Sequence, residues 1–278
     1  MAPALDCQTI AALANSKSAL SETALLKFLD SPDFTVRARA LNALRDLAEL
    51  GPTARSALCR EIRENGYTTA YLAAEIAGEK NVQEAVPALT EVLASDDVYL
   101  VGKSMVALVR LQATQVYPTI AQIQQQTSNP RLAIHSAAAL AQVGDYQYLT
   151  LLLAKSTESS LPSTVQAELL YQAGRLAGCG DTVYQFVTKW RAQPASAALL
   201  LQEQLQLGDI PSQWQSWQQR QNLADYINNQ RGDEPLGQIV TQFLQTVPAA
   251  ALTPELLGCL WLIVIGAARQ CLELPAPG

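Results

Sequence analysis

The feature that most constrains the fold is a recurrence at a stride of about 32 residues. The stretch SPDFTVRARALNAL, residues 31–44, lies over SDDVYLVGKSMVAL, residues 95–108, when slid forward by two strides. Halfway between them sits ENGYTTAYLAAEI, residues 64–76, and further strides reach SNPRLAIHSAAAL, residues 128–140, and SLPSTVQAELLYQ, residues 160–172. Each window opens on turn or cap residues: Pro32-Asp33, Asn65-Gly66, Asp96-Asp97, Asn129-Pro130 and Leu161-Pro162. Asp and Asn side chains accept bonds from the first free N–H groups of a helix, and Pro suits its first turn. Upstream of each window lies another apolar stretch: ETALLKFL, ARSALCREI, EAVPALTEVL, YPTIAQIQQQ and YQYLTLLLAK. The unit is helix, turn, helix, short link. One such pair cannot bury both its apolar faces, whereas stacked neighbours can. Alanine and leucine carry most of the apolar content and aromatics make up only 6%. That balance favours helices, since sheets prefer branched and aromatic side chains.

The predicted organisation is an N-terminal cap over residues 1–20, five repeats over 21–180, and atypical helices over 181–278 that cap the array. Breaks are expected near Pro194 and at GDIP, residues 208–211, and a loop at NNQRGDEPLG, residues 228–237. QWQSWQQR, residues 213–220, sets Trp214 and Trp217 three apart on one helix face, where packing of the cap is the favoured reading. The longest apolar run, LLGCLWLIVIGAA at residues 256–268, falls short of the roughly 20 residues a spanning helix needs. It is expected to be buried in a core or against a partner.

The segment AGEKNVQEAVPALTEVLASDDVYLVGKSMVALVRL, residues 77–111, resembles the HEAT-like repeat of the phycobilisome-lyase type. Gly78, Ala85, Val86, Pro87, Leu89, Asp96 and Asp97 follow that pattern, and Val36-Arg37 matches its Val-Arg pair. The second repeat has Thr68-Thr69 at that pair, and the fifth lacks an acidic residue at its start. The resemblance implies a right-handed α-solenoid of HEAT-like helix pairs whose second helices line a concave side. It also implies that Arg37 pairs with an aspartate of a neighbouring repeat.

Aligned at this stride, the windows stack Thr35, Tyr67, Tyr99, Arg131 and Ser163 in one column. Four residues on, one turn along the same face, come Arg39, Tyr71, Lys103, His135 and Ala167. Other columns are apolar and predict the core: Val36, Thr68, Leu100 and Leu132; Leu41, Ala73, Met105 and Ala137; Leu44, Ile76, Leu108 and Leu140. A further column of Ala43, Ala107 and Ala139 is interrupted by Glu75, for which a slightly rotated, exposing helix is the expected reason. Arg39, Tyr67, Tyr71, Tyr99, Lys103, Arg131 and His135 thus form a candidate partner-binding ladder of cations and phenols. Tyr and Arg are enriched at binding hot spots, Tyr for area at low entropic cost and Arg for bidentate pairing with carboxylates.

Chemistry has little to stand on. There is one histidine, so the paired His-Glu motifs of iron hydroxylases built on this repeat cannot be assembled, and the scattered Cys and His residues supply no zinc site. Neither a phosphate-binding G-x-x-x-x-G-K-[ST] loop nor a G-x-S-x-G elbow occurs. The odd number of cysteines, five and widely spaced, reads as reduced thiols, and no secretory signal opens the chain, so a cytoplasmic location is expected. A net charge of −6 and a pI near 4.9 argue against a nucleic-acid partner. The first function class is a non-catalytic scaffold or assembly factor, without a cofactor, whose basic and aromatic groove holds an acidic or extended segment of a partner protein. The second, implied by the resemblance, is a bilin-handling factor akin to phycobilin lyase subunits, with anionic propionates facing Arg39, Lys103 and Arg131. A third is assembly of a membrane complex through the apolar C-terminal stretch, though membrane contact is not favoured. The scaffold ranks first, because the repeat serves far more proteins than lyases.

Overall fold

The computed structural model describes residues 2–16, 19–64, 68–197, 201 and 218–273. Among the described residues there is no strand, and the regular structure is helical throughout. The chain forms two compact units, residues 1–120 and 121–278, and the division falls within a helix.

The first unit contains α1 (Ala2–Ser16), α2 (Ala19–Phe28), α3 (Phe34–Arg45), α4 (Pro52–Glu64), α5 (Thr68–Glu79), α6 (Val86–Val92) and α7 (Val98–Arg110). Helices pair in sequence, α2 with α3, α4 with α5 and α6 with α7. The pairs then stack like on like: α2 packs on α4 and α4 on α6, while α3 packs on α5 and α5 on α7. The stride therefore becomes two layers of helices, one of first helices and one of second helices. Between them lie the predicted apolar columns. Leu44, Ile76 and Leu108 are fully buried, as are Leu41, Ala73 and Met105. Each leucine or isoleucine so buried contributes about 2 kcal/mol.

Local chemistry sets the helix ends. Asp33 accepts from the Thr35 N–H at 2.8 Å to start α3, and Asp97 accepts from Tyr99 N–H at 3.1 Å and Leu100 N–H at 3.2 Å to start α7. Two residues before each cap a serine hydroxyl accepts from the cap's own N–H, Ser31 for Asp33 and Ser95 for Asp97. In the second unit Thr127 does the same for Asn129. Beyond their C-termini, α5 and α7 are followed by a residue in the left-handed region, Asn81 (φ 53°) and Gln112 (φ 54°).

Arg37 departs from expectation. Its guanidinium donates to the carbonyls of Ser31, at 2.7 Å, and Pro32, at 3.1 Å, rather than to an aspartate of a neighbouring repeat. Those carbonyls belong to the turn that closes α2 and have no helical partner of their own. The arginine lies one turn into α3 and folds back to satisfy them.

The helix that spans the division is α8 (Tyr117–Gln126). The second unit continues with α9 (Pro130–Val143), α10 (Leu149–Ser156), α11 (Ser163–Leu176), α12 (Gly180–Ala192), α13 (Arg220–Gln230), α14 (Pro235–Thr246) and α15 (Pro254–Glu273). The pattern of like on like persists from α9 to α11, then gives way: α11 packs on α12, and α15 packs against α11, α12, α13 and α14. Residues Leu256 to Ile265 of α15 are all buried, so this part of the apolar run forms the core of the unit. Among the described residues no helix is long and apolar enough to cross a membrane. The loop expected at 228–237 is narrower. Asn228 to Gln230 complete the last turn of α13, and Pro235 opens α14, a first-turn position where its missing N–H costs nothing. α12 ends at Ala192, as expected before Pro194. The segment GDIP, Trp214 and Trp217 lie outside the described residues.

Candidate functional site

The ladder residues divide between the two units. In the first, Arg39 stands exposed on α3, Tyr71 half-buried on α5, and Tyr99 and Lys103 one turn apart on α7; Tyr67 lies outside the described residues. In the second, Arg131 is exposed and His135 half-buried on α9, again one turn apart.

Within the first unit the structure brings Tyr71 and Tyr99 together. Their ring centroids are 6.2 Å apart with planes tilted by 40°, inside the range of a favourable aromatic pair. The Tyr71 hydroxyl donates to the Asp97 carboxylate, at 3.0 Å to Oδ2 and 3.2 Å to Oδ1. Asp97 is also the cap of α7, so one carboxylate both starts that helix and fixes the tyrosine of the preceding repeat. Tyr99 keeps 46% of its surface exposed above this arrangement. Arg39 makes no hydrogen bond or ion pair with any described residue.

Lys103 is differently placed from an open cation. Its Nζ donates to Glu75 Oε1 at 2.9 Å, while Arg45 donates to Glu75 Oε2 at 2.9 Å. Glu75 therefore spans three consecutive second helices, α3, α5 and α7. The network extends one turn along, where Glu79 lies 3.1 Å from Arg45 and 3.8 Å from Arg110. Partial burial alone would raise the Glu75 pKa; the hydrogen bonds from Lys103 and Arg45 outweigh it and hold the carboxyl below its ordinary range. The side chain is 29% exposed between its cations, so this bridging, rather than rotation of α5 into solvent, accounts for a glutamate in an alanine column.

Glu75, Arg45 and Asp97 were thus missing from the predicted ladder, although each left a trace in the sequence. Glu75 is the one charge in its column, Arg45 closes α3, and Asp97 stands at the cap of α7. The face of α3, α5 and α7 is not uniformly basic: Asp97 sits under the tyrosines and Glu75 neutralises Lys103.

A second aromatic cluster lies in the other unit. Tyr171 of α11 and Tyr184 of α12 meet edge to face at 5.7 Å, and the Arg175 guanidinium sits 5.9 Å from the Tyr171 ring centre. Tyr184 is 51% exposed. Beside it is an open cleft of about 430 Å³ lined by Tyr171, Arg175 and residues 178–182. Cys179, in its wall, is a free thiol that burial pushes up to about 12, which leaves it protonated and unreactive at neutral pH. Among the described residues no group of three or more His, Cys, Asp or Glu side chains could hold a metal ion.

No protein-family model and no curated protein matches this chain.

Proposed function

We propose that the helix pairs are units of a HEAT-like α-solenoid and that the face of α3, α5 and α7 binds a segment of a partner protein, making the chain a non-catalytic scaffold or assembly factor. The observation that carries this reading is the tethered tyrosine pair. Tyr71 is held by Asp97 at 3.0 Å, and Tyr99 stands 46% exposed beside it. Binding costs are reduced when the contact residues are already ordered, and a tyrosine fixed at its hydroxyl has little freedom left to lose. Arg39, exposed and without a hydrogen-bond or ion-pair partner among the described residues, supplies a directional donor on the same layer of helices. An extended polypeptide laid across α3, α5 and α7 would meet these groups in turn.

Affinity purification from the native host with mass spectrometry tests it, run side by side on the wild type, Tyr99→Ala and Arg39→Glu. Both variants alter exposed side chains and leave the core untouched. The expected result is one or more proteins retained by the wild type and lost from both variants. A partner set unchanged in both variants would remove this face from the function.

A further inference from the structure

Glu75 occupies a position that alanine fills in the first, third and fourth repeats, at Ala43, Ala107 and Ala139. Those three alanines are buried, at 4%, 2% and 0% exposure, so nothing in helix packing calls for a carboxylate there. What the carboxylate does is take up Lys103 at 2.9 Å and Arg45 at 2.9 Å. The two cations are not equivalent. Arg45 has a second carboxylate in reach, Glu79 at 3.1 Å, whereas Glu75 is the only carboxylate paired with Lys103 among the described residues. Lys103 follows Tyr99 by one turn on α7, and 44% of its side chain is exposed. Were Glu75 absent, an ammonium group would stand free beside the tyrosine pair.

We propose that Glu75 is the specificity-determining residue of this face: by holding Lys103 it turns the face away from acidic segments and toward extended segments of neutral or mixed charge. This rests on the reading of α3, α5 and α7 as a binding face. It selects between the two partner chemistries that the ladder alone left open. A charge placed against the wrong partner is a common device of specificity, and here the device is intramolecular neutralisation of Lys103, one of the face's two cations, so that Arg39 alone remains for a carboxylate.

The test is fluorescence anisotropy with two labelled synthetic peptides of equal length, decaglutamate and a neutral Gly-Gln repeat, at about 50 mM salt, where charge effects are weakly screened. The proteins are the full chain as wild type, Glu75→Ala, Glu75→Gln, and Glu75→Ala with Lys103→Met. Circular dichroism and melting curves establish folding, and alanine is the natural occupant of this column elsewhere. The expected result is that both Glu75 variants bind decaglutamate roughly threefold to tenfold more tightly than the wild type. The gain disappears with Lys103→Met and shrinks at high salt, while the neutral peptide is unaffected. The proposal is overturned if the Glu75 variants match the wild type, including by showing no binding at all. It is equally overturned if the gain survives Lys103→Met, if the neutral peptide gains as much, or if both single variants fail to fold. The readout uses no native partner, so loss of the scaffold reading in the purification experiment and loss of this one are separate results.

Discussion

Residues 1–120 fasten one helix pair to the next with charged side chains, whereas residues 121–278 do so by closing around a long apolar helix. In the first unit Arg60–Asp30, Arg55–Glu84, Arg63–Glu91, Arg45–Glu75 and Lys103–Glu75 join residues 28 to 30 apart in the chain, close to one repeat of about 32. In the second unit, Lys155–Glu158 and Arg231–Glu234 are local, and Arg191–Glu255 is the one ion pair that links distant helices among the described residues. Exposed ion pairs stabilise weakly, each by about 0–1 kcal/mol, because solvent screens them and long side chains lose freedom. Their recurrence at the repeat stride therefore sets which residue faces which across the layers more than it holds the layers together. Cohesion in the first unit comes from buried aliphatics such as Leu44, Ile76 and Leu108. In the second, buried aromatics join the aliphatics, Phe186, Phe243 and Trp261 among them. Helix pairs stacked in sequence meet the same interface again and again, and charges specify it; helices gathered around one apolar helix meet it once, and bulk suffices.

The largest expected effect breaks the apolar seam. Phe186 on α12 is fully buried, stacks on Trp190 at 5.9 Å, and lies so close to Gly258 of α15 that no Cβ fits there. Phe186→Ala should cost about 3–5 kcal/mol, the range for truncating a buried phenylalanine. Urea titration followed by circular dichroism measures it. The loss should be the same in low and high salt, since no charge is involved. A cost below about 1 kcal/mol would mean that α15 is not held through this contact.

A smaller effect separates the charged interface from the apolar one. The Glu75 carboxyl, ordinarily near 4.5, is held lower in the folded chain by Lys103 and Arg45 against the opposing effect of burial. A carboxyl depressed on folding contributes stability that is fully present above its unfolded value and is lost as pH falls through its folded value. Glu75→Gln should therefore cost about 1 kcal/mol at pH 7, with no change down to about pH 5, and the difference from wild type should close below the ordinary carboxyl range. High salt should shrink it at pH 7. Thermal melts of the two proteins across pH 3 to 7 supply the measurement, and a difference independent of both pH and salt would point to packing instead of charge.

Much of this was legible in the sequence, because caps and apolar columns repeat. Asp33, Asp97 and Asn129 start helices as their residue type predicts, and the Leu44, Ile76, Leu108 and Leu140 column is fully buried. Half-buried Leu132 is the one described residue of the predicted core columns that does not follow. What stayed hidden depends on where a long side chain reaches. Arg37 turns back to the carbonyls of Ser31 and Pro32 because its guanidinium can span one helix turn in either direction, and spacing alone does not choose between them. Lys103 and Glu75 are 28 residues apart, so their pairing is visible only once α5 and α7 lie side by side. For the candidate site the columns placed Tyr71 and Tyr99 on neighbouring helices correctly. In the sequence the Asp97 carboxylate that ties Tyr71 down reads as a cap, and a carboxylate has lone pairs enough for both tasks.

The smallest effect tests a contrast at the helix ends. In both units the chain leaves a second helix through a left-handed residue, but the first unit uses Asn81 and Gln112 and the second uses Gly144 and Gly178. A side chain in that region crowds the backbone by about 1 kcal/mol, and asparagine escapes part of this through local hydrogen bonding. Gln112 has no such compensation, so Gln112→Gly should relieve more strain than it adds in unfolded-state entropy, a net gain of about 0.5 kcal/mol. Gly144 offers the reverse experiment. A Cβ built there would meet nothing within 4 Å, so Gly144→Ala isolates the backbone cost from any clash and should lose about 1 kcal/mol. Differential scanning calorimetry on the two single variants reads opposite shifts in melting temperature. Shifts of the same sign would show that the left-handed stop does not govern these ends, and that the residue types found there reflect something other than backbone conformation.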